Sequence, residues 1–119
     1  MTIHTVHEDD IRGVQLPGRA HKMIVQPDTM HSTTMCAGVA TFPASSHAPE
    51  HVHKDEEEIL YVLSGQGQMY FDGVPEPIRP GSFMFVPKGI VHSLEATTSE
   101  ELKVLYVFSP PVIQGSYDR

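Results

Sequence analysis

Turn-forming residues interrupt this chain at short intervals and leave little room for an uninterrupted helical face of three turns. Ten Pro and nine Gly are spread over 119 residues, and Pro breaks a helix interior while Gly weakens it. Between the breaks lie short runs rich in Val, Ile, Phe, Tyr and Thr, at 22–26, 33–42, 58–63, 68–71, 82–86, 91–95 and 102–109. Branched and aromatic side chains suit a pleated, half-buried strand. Seven such runs with no helical pattern between them predict an all-β sandwich or barrel, not a βαβ architecture. Asp72-Gly73 accepts the positive φ values of a tight turn and predicts a hairpin between Phe71 and Val74.

The length suits a single domain with one core. Residues 1–20 have weak patterning and are expected to form an arm or edge strand, 21–110 the barrel, and 111–119 a tail over the surface. A net charge of −7, with eight Lys and Arg scattered along the chain, argues against nucleic acid as a partner. No apolar stretch reaches the roughly 20 residues of a membrane-spanning helix. Glu8, Asp9 and Asp10 stand where a secretory leader would be apolar, so a cytoplasmic protein is expected. Cys36 is the one cysteine and reads as a small core residue. His4 and His7 read as surface histidines.

The stretch from Glu50 to Gly65 carries the chemistry. In an extended chain His51 and His53 point to one side and Val52 to the other, so both imidazoles can serve one ion. A carboxylate at the start of the next strand reaches the same centre, because neighbouring strands lie about 5 Å apart. Alone, this pattern also suits a solvated, charged hairpin. A second segment, Gly81 to His92, is an apolar strand, a Pro-x-Gly turn, and a histidine opening another strand, which returns the chain to the same place.

With both segments in view the sequence resembles the cupin superfamily, whose motifs are G-x5-H-x-H-x(3,4)-E-x6-G and G-x5-P-x-G-x2-H-x3-N. His51, His53, Glu58 and Gly65 fit the first; Glu57 meets one spacing and misses the other. Gly81, Pro87, Gly89 and His92 fit the second, and fifteen residues separate Gly65 from Gly81. Ser45 and Ala96 replace the first glycine and the last asparagine. The resemblance implies a single-domain double-stranded β-helix, or jelly-roll barrel. It also implies one metal ion held by His51, His53, Glu58 and His92, and in most members a homodimer.

A nitrogen and oxygen donor set without thiolate suits divalent Mn, Fe, Co, Ni, Cu or Zn. Because imidazole ligates only when neutral, metal is expected to leave well below about pH 6.5. His47, Tyr61 and Tyr70 are candidate catalytic groups, with Gln68 a further hydrogen-bonding side chain; a polar loop for His47 and plain packing for the tyrosines are the competing readings. Met35, Met69, Phe83, Met84 and Phe85 either wall the cavity or fill the core. Arg19 and Lys88 either attract an anionic substrate or, being near turns, are solvated, the favoured reading, and 54–57 read as an exposed acidic turn. The expected function is a metalloenzyme acting on a small organic molecule, dioxygenase-like ahead of isomerase, lyase or decarboxylase. The alternative is a binding or sensing barrel with a structural metal. Unpaired strand edges and the N-terminal arm further favour dimerisation.

Overall fold

The computed structural model describes residues 4–112. The remaining residues, including most of the expected C-terminal tail, lie outside them. Ten strands form two antiparallel sheets: β1 (Val14–Leu16), β2 (Arg19–Val25), β3 (Cys36–Phe42), β4 (Ser46–His47), β5 (Glu57–Ser64), β6 (Gly67–Phe71), β7 (Val74–Ile78), β8 (Phe83–Val86), β9 (His92–Ala96) and β10 (Leu102–Ser109). The order is β1-β2-β3-β10-β5-β8 in the larger sheet and β4-β9-β6-β7 in the smaller. The all-β jelly-roll expected from the sequence is the architecture observed.

Strict alternation fills the space between the sheets. Leu102, Val104, Tyr106 and Phe108 of β10 face inward, opposite Leu60 and Val62 of β5 and Met69 and Leu94 of the smaller sheet. Cys36 is fully buried among them. Gly65 sits at φ 82°, and a Cβ there would collide with the Glu101 carbonyl; this fixes the β5–β6 turn against β10.

Two strands, β4 and β7, were not foreseen, and β1 lies within residues 1–20, where an arm or edge strand was expected. β7 reads Val-Pro-Glu-Pro-Ile, which argues against a strand, yet it lies at the edge of its sheet, where the missing N–H groups break no central ladder. β1 and β4 are too short to show a pattern. β1 pairs with β2 of its own chain. Ahead of it, Glu8 is pinned by Lys103 Nζ at 2.6 Å, and His4 and His7 are exposed.

In β8 the sequence Phe-Met-Phe-Val places Met84 and Val86 inward and both phenylalanines outward. The expectation that Phe83 and Phe85 wall the cavity or fill the core is therefore corrected, and the same holds for the exposed Met35. Both faces of that strand are apolar, so composition alone carried no sign of its parity.

Candidate metal centre

Three imidazoles converge between the sheets. His51 and His92 form an isolated antiparallel bridge with backbone hydrogen bonds of 3.0 and 2.9 Å, and Gly89 N donates to His53 O at 2.8 Å. These bonds hold the His-x-His segment beside the start of β9, with His53 buried and Val52 exposed. One ring nitrogen from each of His51, His53 and His92 lies within 4.8 Å of the others. Glu58, inward on β5, brings Oε1 to 3.4 Å from His92 Nε2 and 3.8 Å from His53 Nε2.

The chain also sets which ring nitrogen is bare. His92 Nδ1 lies 3.0 Å from Ile90 O and His51 Nδ1 3.3 Å from Pro49 O. A carbonyl only accepts, so each Nδ1 carries the proton and each Nε2 keeps its lone pair. His53 Nδ1 faces Glu56 Oε1 at 4.0 Å, and the Glu56 side chain is only 17% exposed, which corrects its assignment to a solvated turn. Lys54, Asp55 and Glu57 are exposed as expected.

His53 Nε2, His92 Nε2 and Glu58 Oε1 are buried without a hydrogen-bond partner. Each such atom costs about 1–3 kcal/mol, and three of them crowd one spot. Two nitrogen acceptors and a carboxylate oxygen beside the His51 ring are the donor set of a divalent transition-metal ion, which these residues fit.

Electrostatics prepare the same chemistry. Burial, reinforced by the neighbouring His92, lowers the His51 pKa to about 3 and that of His53 to about 4, so both rings are neutral, as ligation requires. Burial raises the Glu58 pKa, opposed by His92 and Arg19; a cation would draw it back down.

The centre opens on a cavity of about 50 Å³. Its wall is largely apolar, with Phe42, Leu60, Leu94, Val104 and Phe108, and the Phe108 ring lies edge-on to His53 with centroids 4.8 Å apart. Three polar residues also line it, Arg19, His21 and Tyr106, of which sequence reasoning missed the last two. Arg19, expected to be solvated, is 8% exposed. His21 is buried with Nδ1 2.9 Å from Tyr106 Oη. The signal was an alternation, Arg19-x-His21-x-Met23, hidden because the strand was taken to begin at residue 22. Lys88 is exposed.

The expected catalytic candidates are brought together elsewhere. His47 stacks on Tyr70 with centroids 4.7 Å apart, His47 Nε2 is 3.0 Å from Ser93 Oγ, and Tyr70 Oη donates to Glu95 Oε1 at 2.7 Å. Ser93 and Glu95 alternate with the inward His92 and Leu94, so this cluster, with Gln68, occupies the outer face of the smaller sheet. Tyr61 packs on Phe83, centroids 4.7 Å apart, outside the larger sheet. None of the three is among the residues lining the cavity.

The family model described as "Cupin domain" matches residues 38–108. Protein SchB of Streptomyces halstedii is 28% identical over 102 residues, covering 86% of this chain and 74% of its own length. A Thermotoga maritima protein named oxalate-binding protein is 31% identical over 84 residues, covering 71% and 69%. The crystal structure of a predicted oxalate decarboxylase from Thermotoga maritima superposes with a TM-score of 0.80 at 24% identity, covering 90% of this chain and 99% of that one.

Proposed function

Because this chain belongs to the cupin family, we propose that it is a metal-dependent enzyme acting on a small organic molecule, with His51, His53, Glu58 and His92 as ligands of one divalent Mn, Fe, Co, Ni, Cu or Zn ion. The carrying observation is the set of three buried, partnerless donor atoms beside the His51 ring. When bound, such an ion supplies Lewis acidity and, for the redox-active metals, oxygen chemistry. The chain's own residues hold the rings in one tautomer through Ile90 O and Pro49 O. They also enclose the reacting molecule in an apolar wall that limits water. Oxygen-dependent cleavage ranks ahead of isomerisation, lyase and decarboxylase chemistry, since a redox-active ion held by His51, His53, Glu58 and His92 would supply oxygen chemistry.

Metal-loaded protein incubated with a panel of small organic acids, with dioxygen uptake and product followed together, tests the proposal. Turnover that His53→Ala abolishes while the β-sheet circular dichroism is retained is the expected result. Turnover indifferent to metal and to His53→Ala would refute it. A binding barrel with a structural metal is the second reading, favoured by the relative named for oxalate binding; saturable binding without turnover would select it.

The partner expected of this chain is a second copy. Phe83 (75% exposed), Phe85 (52%), Ile59, Leu63 and Leu105 form one apolar patch on the outer face of β8, β5 and β10. Its area is on the order of 500 Å², the upper range of what a monomer leaves exposed. Two copies face to face would cover about 1,000 Å², the threshold of a specific interface. Sedimentation at micromolar concentration should give a dimer, and Phe83→Glu a monomer; a wild-type monomer would reject the pairing. A buried, lone Cys36 suits the reducing cytoplasm.

A further inference from the structure

The three imidazoles are held from behind in two different ways. His51 Nδ1 and His92 Nδ1 each lie beside the backbone carbonyl two residues earlier, Pro49 O at 3.3 Å and Ile90 O at 3.0 Å. Every residue type supplies such a carbonyl, so the fold alone sets those two tautomers. His53 has a side chain in that place, the Glu56 carboxylate, with Oε1 4.0 Å from Nδ1. A neutral imidazole carries one proton on two nitrogens, and its neighbours decide which nitrogen holds it.

Glu56 stands apart in its segment. Lys54, Asp55 and Glu57 are exposed, whereas Glu56 is drawn in against the buried His53 ring. A carboxylate gives up hydration in such a position, a cost that a favourable interaction inside must offset. Its charge is felt in the interior: burial raises the pKa of the Cys36 thiol, and Glu56 adds to the rise. On the other side of the His53 ring, Glu58 Oε1 lies 3.8 Å from Nε2. Each nitrogen therefore faces a carboxylate, and the two compete for the proton. A separation of 4.0 Å exceeds a direct hydrogen bond, so Glu56 acts on the ring N–H as a charge through space.

We propose that Glu56 is the positioning residue for His53: its charge keeps the proton on Nδ1 and leaves Nε2 bare toward the metal centre. This rests on the metal reading for its purpose, and it makes one of the three rings depend on a side chain that is not itself a ligand. A carboxylate behind a ligating imidazole also raises the basicity of the ring.

Two readouts on wild type, Glu56→Ala, Glu56→Gln and the control Asp55→Ala test it. Nitrogen-15 spectra of the metal-free protein report which nitrogen of His53 is protonated, and competition with a chelator reports zinc affinity. Wild-type His53 should carry its proton on Nδ1. Glu56→Ala should move that proton toward Nε2, leave the His51 and His92 tautomers unchanged, and weaken zinc binding about 10- to 100-fold, the usual effect of a change behind a ligand. Glu56→Gln, which removes the charge and keeps an acceptor, should lose less and serves if the alanine variant does not fold. Asp55→Ala, which removes an exposed charge next door, should match wild type in both readouts. A wild-type proton on Nε2, either readout unchanged in the folded Glu56 variants, or an equal loss in Asp55→Ala would overturn the proposal. Wild-type protein that binds no zinc would defeat the metal reading alone, because the His53 tautomer in metal-free protein still decides the role of Glu56.

Discussion

Strand β9 carries two polar clusters on its opposite faces. Inward, His92 meets His51, His53 and Glu58, and three of the donor atoms there have no partner. Outward, Ser93 and Glu95 meet His47 and Tyr70, and these groups bond one another at 2.7–3.0 Å. Both clusters contain a histidine, a carboxylate and neighbouring rings, so residue type does not separate them. Hydrogen-bond satisfaction does. A buried acceptor without a donor is a standing cost that a bound cation removes, whereas the outer cluster is complete in itself.

The largest expected contrast is in metal affinity. His53→Ala should weaken binding more than 100-fold in competition with a chelator, since changes behind the ligands alone cost about 10–100-fold. His47→Ala should leave affinity unchanged, and a loss comparable to that of His53→Ala would erase the distinction between the two faces.

Acid provides the next test, on metal-free protein. His51 and His53 stay neutral in the fold down to about pH 3 and 4, while the unfolded chain protonates them near 6.5. Below pH 6.5 the unfolded state therefore binds more protons, and stability falls as pH falls toward those folded values. Glu58 acts with opposite sign. Its raised folded pKa gives stability that is full below the unfolded carboxylate pKa and is lost as pH rises through the folded one. Urea melts should show a net loss on the order of 2 kcal/mol between pH 7 and 5. The loss should be steeper in Glu58→Gln, which lacks the offset; a shallower one would contradict the assignment. The expectation that metal leaves well below pH 6.5 is sharpened at two of the ligands, because the His51 and His53 rings stay neutral to about pH 3 and 4.

Smaller effects sharpen the outer face. Tyr70→Phe removes a hydrogen bond that water can replace, and its melting temperature should move by no more than a few degrees with metal content unchanged. Smallest is Ser45→Gly. Ser45 stands at a motif glycine and adopts φ 52°, a region costly for a residue with a Cβ. Its hydroxyl bond to Thr98 O offsets part of that cost, so the glycine should gain only about 0.5 kcal/mol.

How much of this could be read in advance depended on range along the chain. His51 and His53 are two residues apart in extended backbone, and their shared direction follows from local geometry. His92 and Glu58 were legible through spaced turns and glycines, such as Gly65, whose contact with Glu101 tolerates no side chain. Arg19, His21 and Tyr106 were not. They reach the cavity through pairings of β2 with β3 and of β3 with β10, and the local alternation gives their shared parity without telling that this face meets the histidines. Ser45 and Ala96 depart from the motif for reasons visible only in three dimensions. Ser45 tolerates the left-handed turn, and Ala96 is a fully inward core position on β9.

Elemental analysis by plasma mass spectrometry, on protein purified without a histidine tag or chelator and compared with His92→Ala, tests the metal centre most directly. About one divalent transition-metal ion per wild-type chain and almost none in the variant is the predicted result. Wild-type protein that stays metal-free even after reconstitution, or a folded His92→Ala that keeps its metal, would contradict it.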